Sequence, residues 1–216
     1  MTSHRSPPNR PTRRQVCRLA LGCGLAGAGL SARAALDDSR FDTNFQPAPW
    51  RDQDGAAFDW SSLRGHVCLF NFVYTGCSTV CPVQTQVLVQ VRRDLTPLAR
   101  DGLRQVSVSV DPLGDTPATL RAFARRHGVD LPSWRFLSGT VAQVEQLGRR
   151  LRLFGGDGSA SPALHNTAVW LVGSDGRLMQ RYTADPPDPA RLVRDIQALQ
   201  AMRVGTTGRD RGHRLA

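Results

Sequence analysis

Two cysteines four residues apart offer the clearest chemistry in this chain of 216 residues. Cys77 and Cys81 follow an apolar, strand-like run that ends in Thr75-Gly76, and Pro82 then opens a predicted helix. If both cysteines lie in the first helical turn, their i, i+4 spacing places the two sulfurs on one face. Unpaired backbone N–H groups and the positive end of the helix dipole stabilise a thiolate there. The pair therefore suits either a soft-metal site or a redox dithiol.

The spacing alone leaves the chemistry open. The common redox dithiol has two residues between its cysteines, whereas three residues separate Cys77 from Cys81, which changes the geometry of a disulfide without forbidding one. Two soft thiolates also form part of a site for Cu(I) or zinc. Cysteines at helical spacing can instead be small core residues, but Gly76, Ser78 and Thr79 beside them are typical of an exposed loop.

A histidine could complete a metal site. His165 follows a loop rich in glycine and serine and precedes a predicted strand, and in an α/β sheet such a loop can lie beside the cysteines. An imidazole with two thiolates matches soft-metal chemistry, because the thiolates hold Cu(I) and the imidazole helps to accommodate Cu(II). His66 is a weaker candidate because it begins a strand at the end far from the cysteines. His127 is weaker because a cation is favourable near a helix C-terminus in any case.

Other polar and aromatic residues could support such a site. Asp111 and Asp115 bracket a turn after the second core strand, at the sheet end where the cysteines are expected. Capping and turn roles fit both carboxylates, and the functional alternative is that Asp111 tunes the metal ligands or the contact with a partner. We expect Cys68 to be a buried strand residue rather than a reactive thiol. Three aromatic residues are expected in the core and, near copper, would form its hydrophobic shell: Phe72, Tyr74 and Trp170.

Hydrophobic periodicity predicts the elements that position these residues. The first core strand is a nearly all-apolar run, which indicates burial on both faces. Strands and helices then alternate before a terminal hairpin and helix. The predicted strands are 67–74, 106–110, 134–137, 168–172 and 178–182, and the predicted helices are 83–98, 118–127, 141–153 and 190–202. This order predicts an α/β sandwich around a mixed central sheet and, with the dithiol after its first core strand, a thioredoxin-like fold.

The ends of the chain differ from this domain. Residues 1–34 combine a basic start containing Arg13-Arg14, a short apolar stretch and a small-residue cleavage site, which predicts an export signal of the twin-arginine kind that is cleaved. Its apolar stretch is shorter than the roughly 20 residues of a membrane span, so an uncleaved membrane anchor is disfavoured. Residues 35–203 form the domain, which begins with a polar, extended lead-in and a short strand at 57–60. Residues 204–216 are predicted to be a basic, disordered tail.

The net charge of +10 arises largely outside the domain. Residues 1–34 carry six arginines and no acidic residue, which leaves 22 basic against 18 acidic residues in the rest of the chain. A folded domain near neutrality gives little support for nucleic-acid binding.

Three motifs in the correct order resemble those of the Sco/SenC family. Residues 74–82, YTGCSTVCP, resemble its Y-T-x-C-x-x-x-C-P motif, and residues 109–117, SVDPLGDTP, resemble its S-V-D-P…D-T-P stretch. His165 stands where the family's metal-ligating histidine is expected, ahead of a strand and a D-G hairpin turn. The resemblance covers roughly residues 45–200. It implies a thioredoxin-like, extracytoplasmic, copper-binding protein whose ligands are Cys77, Cys81 and His165, supported by Asp111, Tyr74 and Pro82.

The resemblance also implies delivery of copper to the CuA site of cytochrome c oxidase, or reduction of that site's cysteines. Two features depart from the family pattern. Members are commonly tethered to a membrane, whereas this chain starts like a cleavable signal, and Leu164 stands where an acidic residue often precedes the histidine. The departures concern membrane anchoring and local electrostatics and remove no ligand.

The leading hypothesis is a periplasmic, monomeric copper metallochaperone that passes copper on by ligand exchange. Its expected partners are the CuA-bearing subunit of cytochrome c oxidase or another copper chaperone, together with a thiol reductant protein. The alternative is an enzyme, a thiol–disulfide oxidoreductase in which Cys77 attacks a partner disulfide and Cys81 resolves the intermediate. A peroxiredoxin-like peroxidase has less support, because Val73-Tyr74 replaces the proline expected before the threonine of a T-x-x-C site.

Overall fold

The computed structural model describes residues 40–129, 133–155 and 161–212. Within these ranges six strands alternate with five helices, and short 3₁₀ turns lie at Phe41–Phe45, Trp60–Leu63 and Pro162–Leu164. The strands are β1 Arg51–Asp52, β2 Val67–Val73, β3 Leu103–Ser109, β4 Trp134–Ser138, β5 Val169–Val172 and β6 Leu178–Tyr182. The helices are α1 Val80–Asp94, α2 Pro97–Asp101, α3 Pro117–Arg126, α4 Val141–Leu151 and α5 Pro189–Gly212.

The strands form one mixed sheet in the order β1-β4-β3-β2-β5-β6. β2 pairs in parallel with β3, and β3 with β4, whereas β5 is antiparallel to β2 and to β6, and β1 is antiparallel to β4. The predicted α/β sandwich with a mixed sheet is therefore the observed architecture. β5 runs antiparallel to β2. The chain that leads into β5 therefore lies at the end of the sheet where β2 and β3 have their carboxyl ends.

Strand β2 is buried along its whole length and divides the core into two layers. Leu69 and Val73 pack on one side against α1 and α5. Phe70 and Phe72 pack on the other side against α4 and against residues 41–50, the N-terminal segment. Successive side chains of a strand point to opposite faces, so a strand covered on both sides needs an apolar residue at nearly every position. This requirement explains the nearly continuous apolar run that predicted the strand.

Proline and threonine set the helix boundaries. The predicted helix 83–98 is two helices, because Pro97 has no N–H to donate and forces Thr96 into an extended conformation. Thr96 then caps α2, its hydroxyl accepting a hydrogen bond from the Ala99 N–H at 3.3 Å. Capping boxes begin both α3 and α4, at Thr116 and Thr140. These local signals lie within a few residues of the predicted boundaries.

The prediction of a polar, extended lead-in before residue 57 is wrong for the part that the structure describes. Phe41, Phe45 and Trp50 are each at most 3% exposed and form part of the core beside β2. The Phe45 ring lies 5.5 Å from the ring of Phe70, and the Trp50 indole N–H donates to the Phe45 carbonyl at 2.8 Å. Residues 51–52 add strand β1 to the sheet edge. The aromatic residues are too widely spaced among polar ones to give a periodic signal.

The last helix also differs from its prediction. α5 continues to Gly212, so residues 204–212 are helical rather than a disordered tail. No proline follows Pro189 in this helix, and each residue added to an existing helix gains one backbone hydrogen bond. The predicted export signal at 1–34 and residues 213–216 lie outside the described residues. Within the described ranges, no helix combines the length and the apolar character that crossing a membrane requires.

Replacing Phe45 tests whether the N-terminal segment belongs to the core. We expect Phe45→Ala to lower the free energy of unfolding by about 3–5 kcal/mol, because it removes a large buried ring and leaves a cavity. Leu98→Ala is the matched control, since Leu98 is 81% exposed and its truncation should change stability by less than about 0.5 kcal/mol. Equilibrium unfolding in urea measures both values. Equal, small losses in the two variants would contradict a packed segment.

Candidate functional site

The cysteine pair lies where β2 ends and α1 begins. After β2 the chain turns, with the Cys77 N–H donating to the Tyr74 carbonyl at 3.2 Å, and α1 starts at Val80. Cys77 therefore lies in the loop before the helix, which corrects the expectation of two cysteines in one helical turn. Cys81 lies in the first turn, and its backbone N–H donates to the Cys77 sulfur at 3.4 Å. Cys81 is 1% exposed, whereas Cys77 is partly exposed.

The pKa values of the two thiols are shifted in opposite directions. Burial raises the pKa of Cys77, but backbone N–H groups of Cys81, Thr79 and Val80 point at its sulfur and outweigh burial, so this pKa lies below its ordinary value. Burial raises the pKa of Cys81 to about 12, and the neighbouring Cys77 sulfur adds to the increase. The partly exposed Cys77 thiol therefore ionises at a lower pH than the buried Cys81 thiol. Both cysteines are free thiols in this structure.

His165 lies at the same end of the sheet as the cysteines, and both of its ring nitrogens face backbone carbonyls. It follows the 3₁₀ turn Pro162–Leu164 and is 8% exposed. Its Nδ1 lies 2.6 Å from the Pro162 carbonyl oxygen, and its Nε2 lies 3.1 Å from the Phe72 carbonyl oxygen of β2. Among the described residues, no three His, Cys, Asp or Glu side chains come together in a way that could hold a metal. The predicted ligand set of Cys77, Cys81 and His165 therefore stays a prediction.

Tyr74 connects the cysteine loop with His165. Its ring lies edge-to-face with the His165 ring, with 6.0 Å between the centroids. Its hydroxyl has a raised pKa, first through burial and then through the charge of Cys77 and a hydrogen bond with the Cys77 thiol. Tyr74 thus touches both the exposed thiol and the imidazole. Pro82, the third residue of α1, lacks an N–H in the turn where the N–H groups have no helical acceptor.

The remaining sequence candidates lie elsewhere. Cys68 is buried in β2, its sulfur lies 3.4 Å from the His66 carbonyl oxygen, and burial raises its pKa to about 12. Its position at the start of β2 agrees with the predicted buried strand residue, and His66 adjoins this far end of the strand. His127 ends α3 and contacts Gln86 of α1, whose side-chain amide donates to the His127 carbonyl at 3.1 Å.

Asp115 and Asp111 have different roles. The buried Asp115 carboxylate accepts hydrogen bonds from the backbone N–H and the hydroxyl of Thr75, at 3.1 and 2.6 Å, and from the Ser109 hydroxyl at 2.6 Å. It therefore fastens the cysteine loop to the end of β3. Asp111 stabilises the intervening turn, where its carboxylate accepts from the Gly114 N–H at 2.9 Å. The predicted capping and turn role describes Asp111, while the contact of Asp115 with the cysteine loop has no signal in the sequence.

The sequence analysis also missed a buried network of polar side chains that reaches α1 one turn after Cys81. Four side chains share it, each at most 2% exposed: Asn71 of β2, Gln84 of α1, Ser107 of β3 and Trp134 of β4. The Asn71 amide donates to the Gln84 carbonyl oxygen at 3.0 Å, and the Ser107 hydroxyl donates to Asn71 at 2.7 Å. An asparagine in the middle of an otherwise apolar strand could have indicated such a network, because a buried amide needs partners.

Alkylation as a function of pH tests the acidity of the thiols. We expect iodoacetamide to modify Cys77 first, at a rate that rises with pH through a pKa below the ordinary thiol value, because the thiolate is the nucleophile. Cys81 should stay slow until the pH approaches 12. Cys68, also buried with a pKa of about 12, is the control in the same peptide map, quantified by mass spectrometry. Equal rates at Cys77 and Cys81 near neutral pH would contradict the assignment.

Replacing Asp115 tests the fastening of the cysteine loop. Asp115→Asn puts an amide donor where the carboxylate accepts from Thr75 and Ser109, and we expect the free energy of unfolding to fall by about 1–3 kcal/mol. Asp111→Asn is the control, because an amide oxygen can still accept from Gly114, and it should change stability by less than about 0.5 kcal/mol. Thermal and urea unfolding measure both. A smaller loss for Asp115→Asn than for Asp111→Asn would refute the role of Asp115.

Comparison with known proteins agrees with this arrangement. A family model described as SCO1/SenC matches residues 34–201. The SCO1 protein homolog of Bacillus subtilis is 26% identical over 162 residues, which cover 73% of this chain and 83% of that protein. Its matched fraction includes most of both chains, so the likeness concerns the whole domain.

Solved structures show the same fold. BsSco, described as a member of the Sco family of cytochrome c oxidase assembly proteins with a disulfide switch, superposes with a TM-score of 0.60 at 26% identity, covering 72% of this chain and 92% of that one. Bradyrhizobium japonicum ScoI with copper bound gives a TM-score of 0.57 at 27% identity, covering 70% and 96%. The predicted thioredoxin-like α/β fold is thus confirmed. With the motifs, the fold and the family model in agreement, this chain belongs to the SCO1/SenC family.

Proposed function

We propose that this protein is a copper metallochaperone that binds copper through Cys77, Cys81 and His165. The observation that carries the proposal is the pair of adjoining thiols at the start of α1, one of which is acidic. Soft thiolates are the ligands that Cu(I) prefers. Family membership and the copper-bound structure of Bradyrhizobium japonicum ScoI support copper as the cargo.

The partly exposed Cys77 is suited to pass copper on. An incoming thiol of a partner can reach Cys77 directly, whereas Cys81 lies beneath it in the core. Ligand exchange would therefore begin at Cys77 and end at Cys81. We propose the CuA-bearing subunit of cytochrome c oxidase as the recipient, supported by the description of BsSco as a cytochrome c oxidase assembly protein. A periplasmic location is proposed from the signal-like residues 1–34.

A thiol–disulfide oxidoreductase is the second candidate, favoured by the unequal acidities of the two thiols. The Cys77 thiolate would attack a disulfide of a copper-site partner, forming a mixed disulfide and releasing one partner thiolate. Cys81 would then pass its proton to the released partner thiolate and attack the Cys77 sulfur of the mixed disulfide, displacing the second partner thiolate. The products are a Cys77–Cys81 disulfide and a partner dithiol, so two electrons pass to the partner. This chemistry needs both cysteines and leaves His165 without a part.

His165 discriminates between the two candidates. We expect the reduced protein to bind a single copper ion and to give thiolate-to-Cu(II) charge-transfer absorption, and His165→Ala to weaken Cu(II) binding by more than the ~10- to 100-fold typical of losing an outer-shell partner. The same variant should exchange its dithiol with glutathione disulfide at nearly the parent rate. Titration with copper under visible spectroscopy and a thiol-exchange assay give the two readouts.

His127→Ala serves as the control histidine, because His127 lies at the end of α3 outside the site. It should leave both copper binding and thiol exchange unchanged. Cys77→Ser and Cys81→Ser should each abolish the charge-transfer bands. Parent protein that holds no copper while its dithiol exchanges readily would favour the oxidoreductase, and unchanged copper affinity in His165→Ala would remove this histidine from the ligand set.

A further inference from the structure

The buried network beside the cysteines has a fixed direction. The Thr167 backbone carbonyl can only accept, so the Gln84 amide nitrogen must donate to it and the Gln84 oxygen must face Asn71. The Asn71 amide nitrogen therefore donates to the Gln84 oxygen, and the Asn71 oxygen accepts from the Ser107 hydroxyl. The Ser107 oxygen accepts in turn from the Trp134 indole N–H at 2.8 Å. The acceptor-only carbonyl at one end thus determines the direction of the bonds that follow.

This network joins the two halves of the proposed copper site. Gln84 lies three residues after Cys81 on α1, and Thr167 lies two residues after His165. The hydrogen bond from Gln84 to Thr167 therefore joins residues 165–167, the histidine segment, to α1. The same segment is tied on its other side, where the Asn166 N–H donates to the Leu153 carbonyl.

We propose that Gln84 is a positioning residue for His165, fixing the backbone of residues 165–167 against α1, the helix whose first turn carries Cys81. The inference deepens the proposed copper-binding function and rests on it. Gln84 itself touches neither thiol nor ring in the described contacts; it acts through the Thr167 carbonyl. Outer-shell groups that orient a ligand commonly control metal affinity in this way.

Position 84 needs a side chain that accepts one hydrogen bond and donates another at the same time. The Gln84 side chain is 1% exposed, so water cannot take over its bonds. It accepts from Asn71 and donates to Thr167 at once, and an acceptor-only carboxylate or an apolar side chain of similar size cannot do both. Gln84→Met would leave the Thr167 carbonyl without its donor and release the segment that follows His165.

Gln143 provides a matched control variant. It is also a buried glutamine, at the start of α4, and its side-chain amide donates to the backbone carbonyl of Pro47 at 2.7 Å while its oxygen accepts from Thr140. It thus performs the same bonding on the N-terminal segment. Gln143→Met should lower stability in a comparable way without touching the histidine segment.

The experiment compares both variants in metal-free and copper-loaded protein. Amide hydrogen exchange of residues 164–168 is measured first without metal, and we expect it to speed up in Gln84→Met and to stay at the parent rate in Gln143→Met. Cu(II) affinity is then measured by competition with a chelator, for Gln84→Met alone and combined with His165→Ala. We expect Gln84→Met to weaken Cu(II) binding by ~10-fold in the parent background and by nothing further once His165 is absent.

Each outcome decides the inference. Faster exchange together with an affinity loss that vanishes in the His165→Ala background supports it. Unchanged exchange in Gln84→Met overturns it, whatever the copper result. An affinity loss of equal size with and without His165, or an equal loss in Gln143→Met, also overturns it, because the effect would then be general destabilisation. If the parent protein binds no copper, the proposed function fails, and the anchoring by Gln84 is decided by hydrogen exchange alone.

Discussion

The complete burial of β2 is the constraint on which the rest of the structure depends. A strand covered on both faces has no water to satisfy polar groups, so each one that it carries needs a protein partner. The Asn71 amide is satisfied by Gln84 and Ser107, and the Val73 carbonyl accepts from the Val110 N–H. The Phe72 carbonyl faces the His165 imidazole. The partners of this one strand therefore draw α1, β3 and the histidine segment together at its carboxyl end.

The same constraint separates the two thiols. Because β2 must leave the core before α1 can begin, the chain turns sharply, and Cys77 occupies that turn while Cys81 enters the core with the helix. The free N–H groups of the first helical turn then point at Cys77, whereas Cys81 is surrounded by apolar residues. One spacing of four residues thus yields a partly exposed thiol with a lowered pKa and a buried thiol with a raised pKa. Such a pair can either hold a soft cation or pass electrons in a defined order.

The sequence predicted features that depend on local pattern and missed those that depend on shape. Periodicity located the core strands and the starts of the four predicted helices to within a few residues, and residue type and spacing indicated the dithiol. The packing of Phe45 was missed because its contact with Phe70 joins residues far apart in the chain. The hydrogen bonds from Thr75 to Asp115 were missed for the same reason, since Thr75 lies 40 residues earlier in the chain. His165 was expected to face the cysteines, yet nothing in the sequence indicates that two backbone carbonyls occupy its nitrogens.

The contacts of His165 bear on how it could serve as a ligand. Both ring nitrogens face backbone carbonyl oxygens, Nδ1 that of Pro162 at 2.6 Å and Nε2 that of Phe72 at 3.1 Å. Rotating the ring off β2 leaves the buried Phe72 carbonyl without its imidazole partner, a cost of about 1–3 kcal/mol. Since Gln84 anchors the backbone nearby, the movement can be confined to the side chain. The proposed copper binding through His165 has to offset this cost, which favours release of the ligand when the copper passes to a partner.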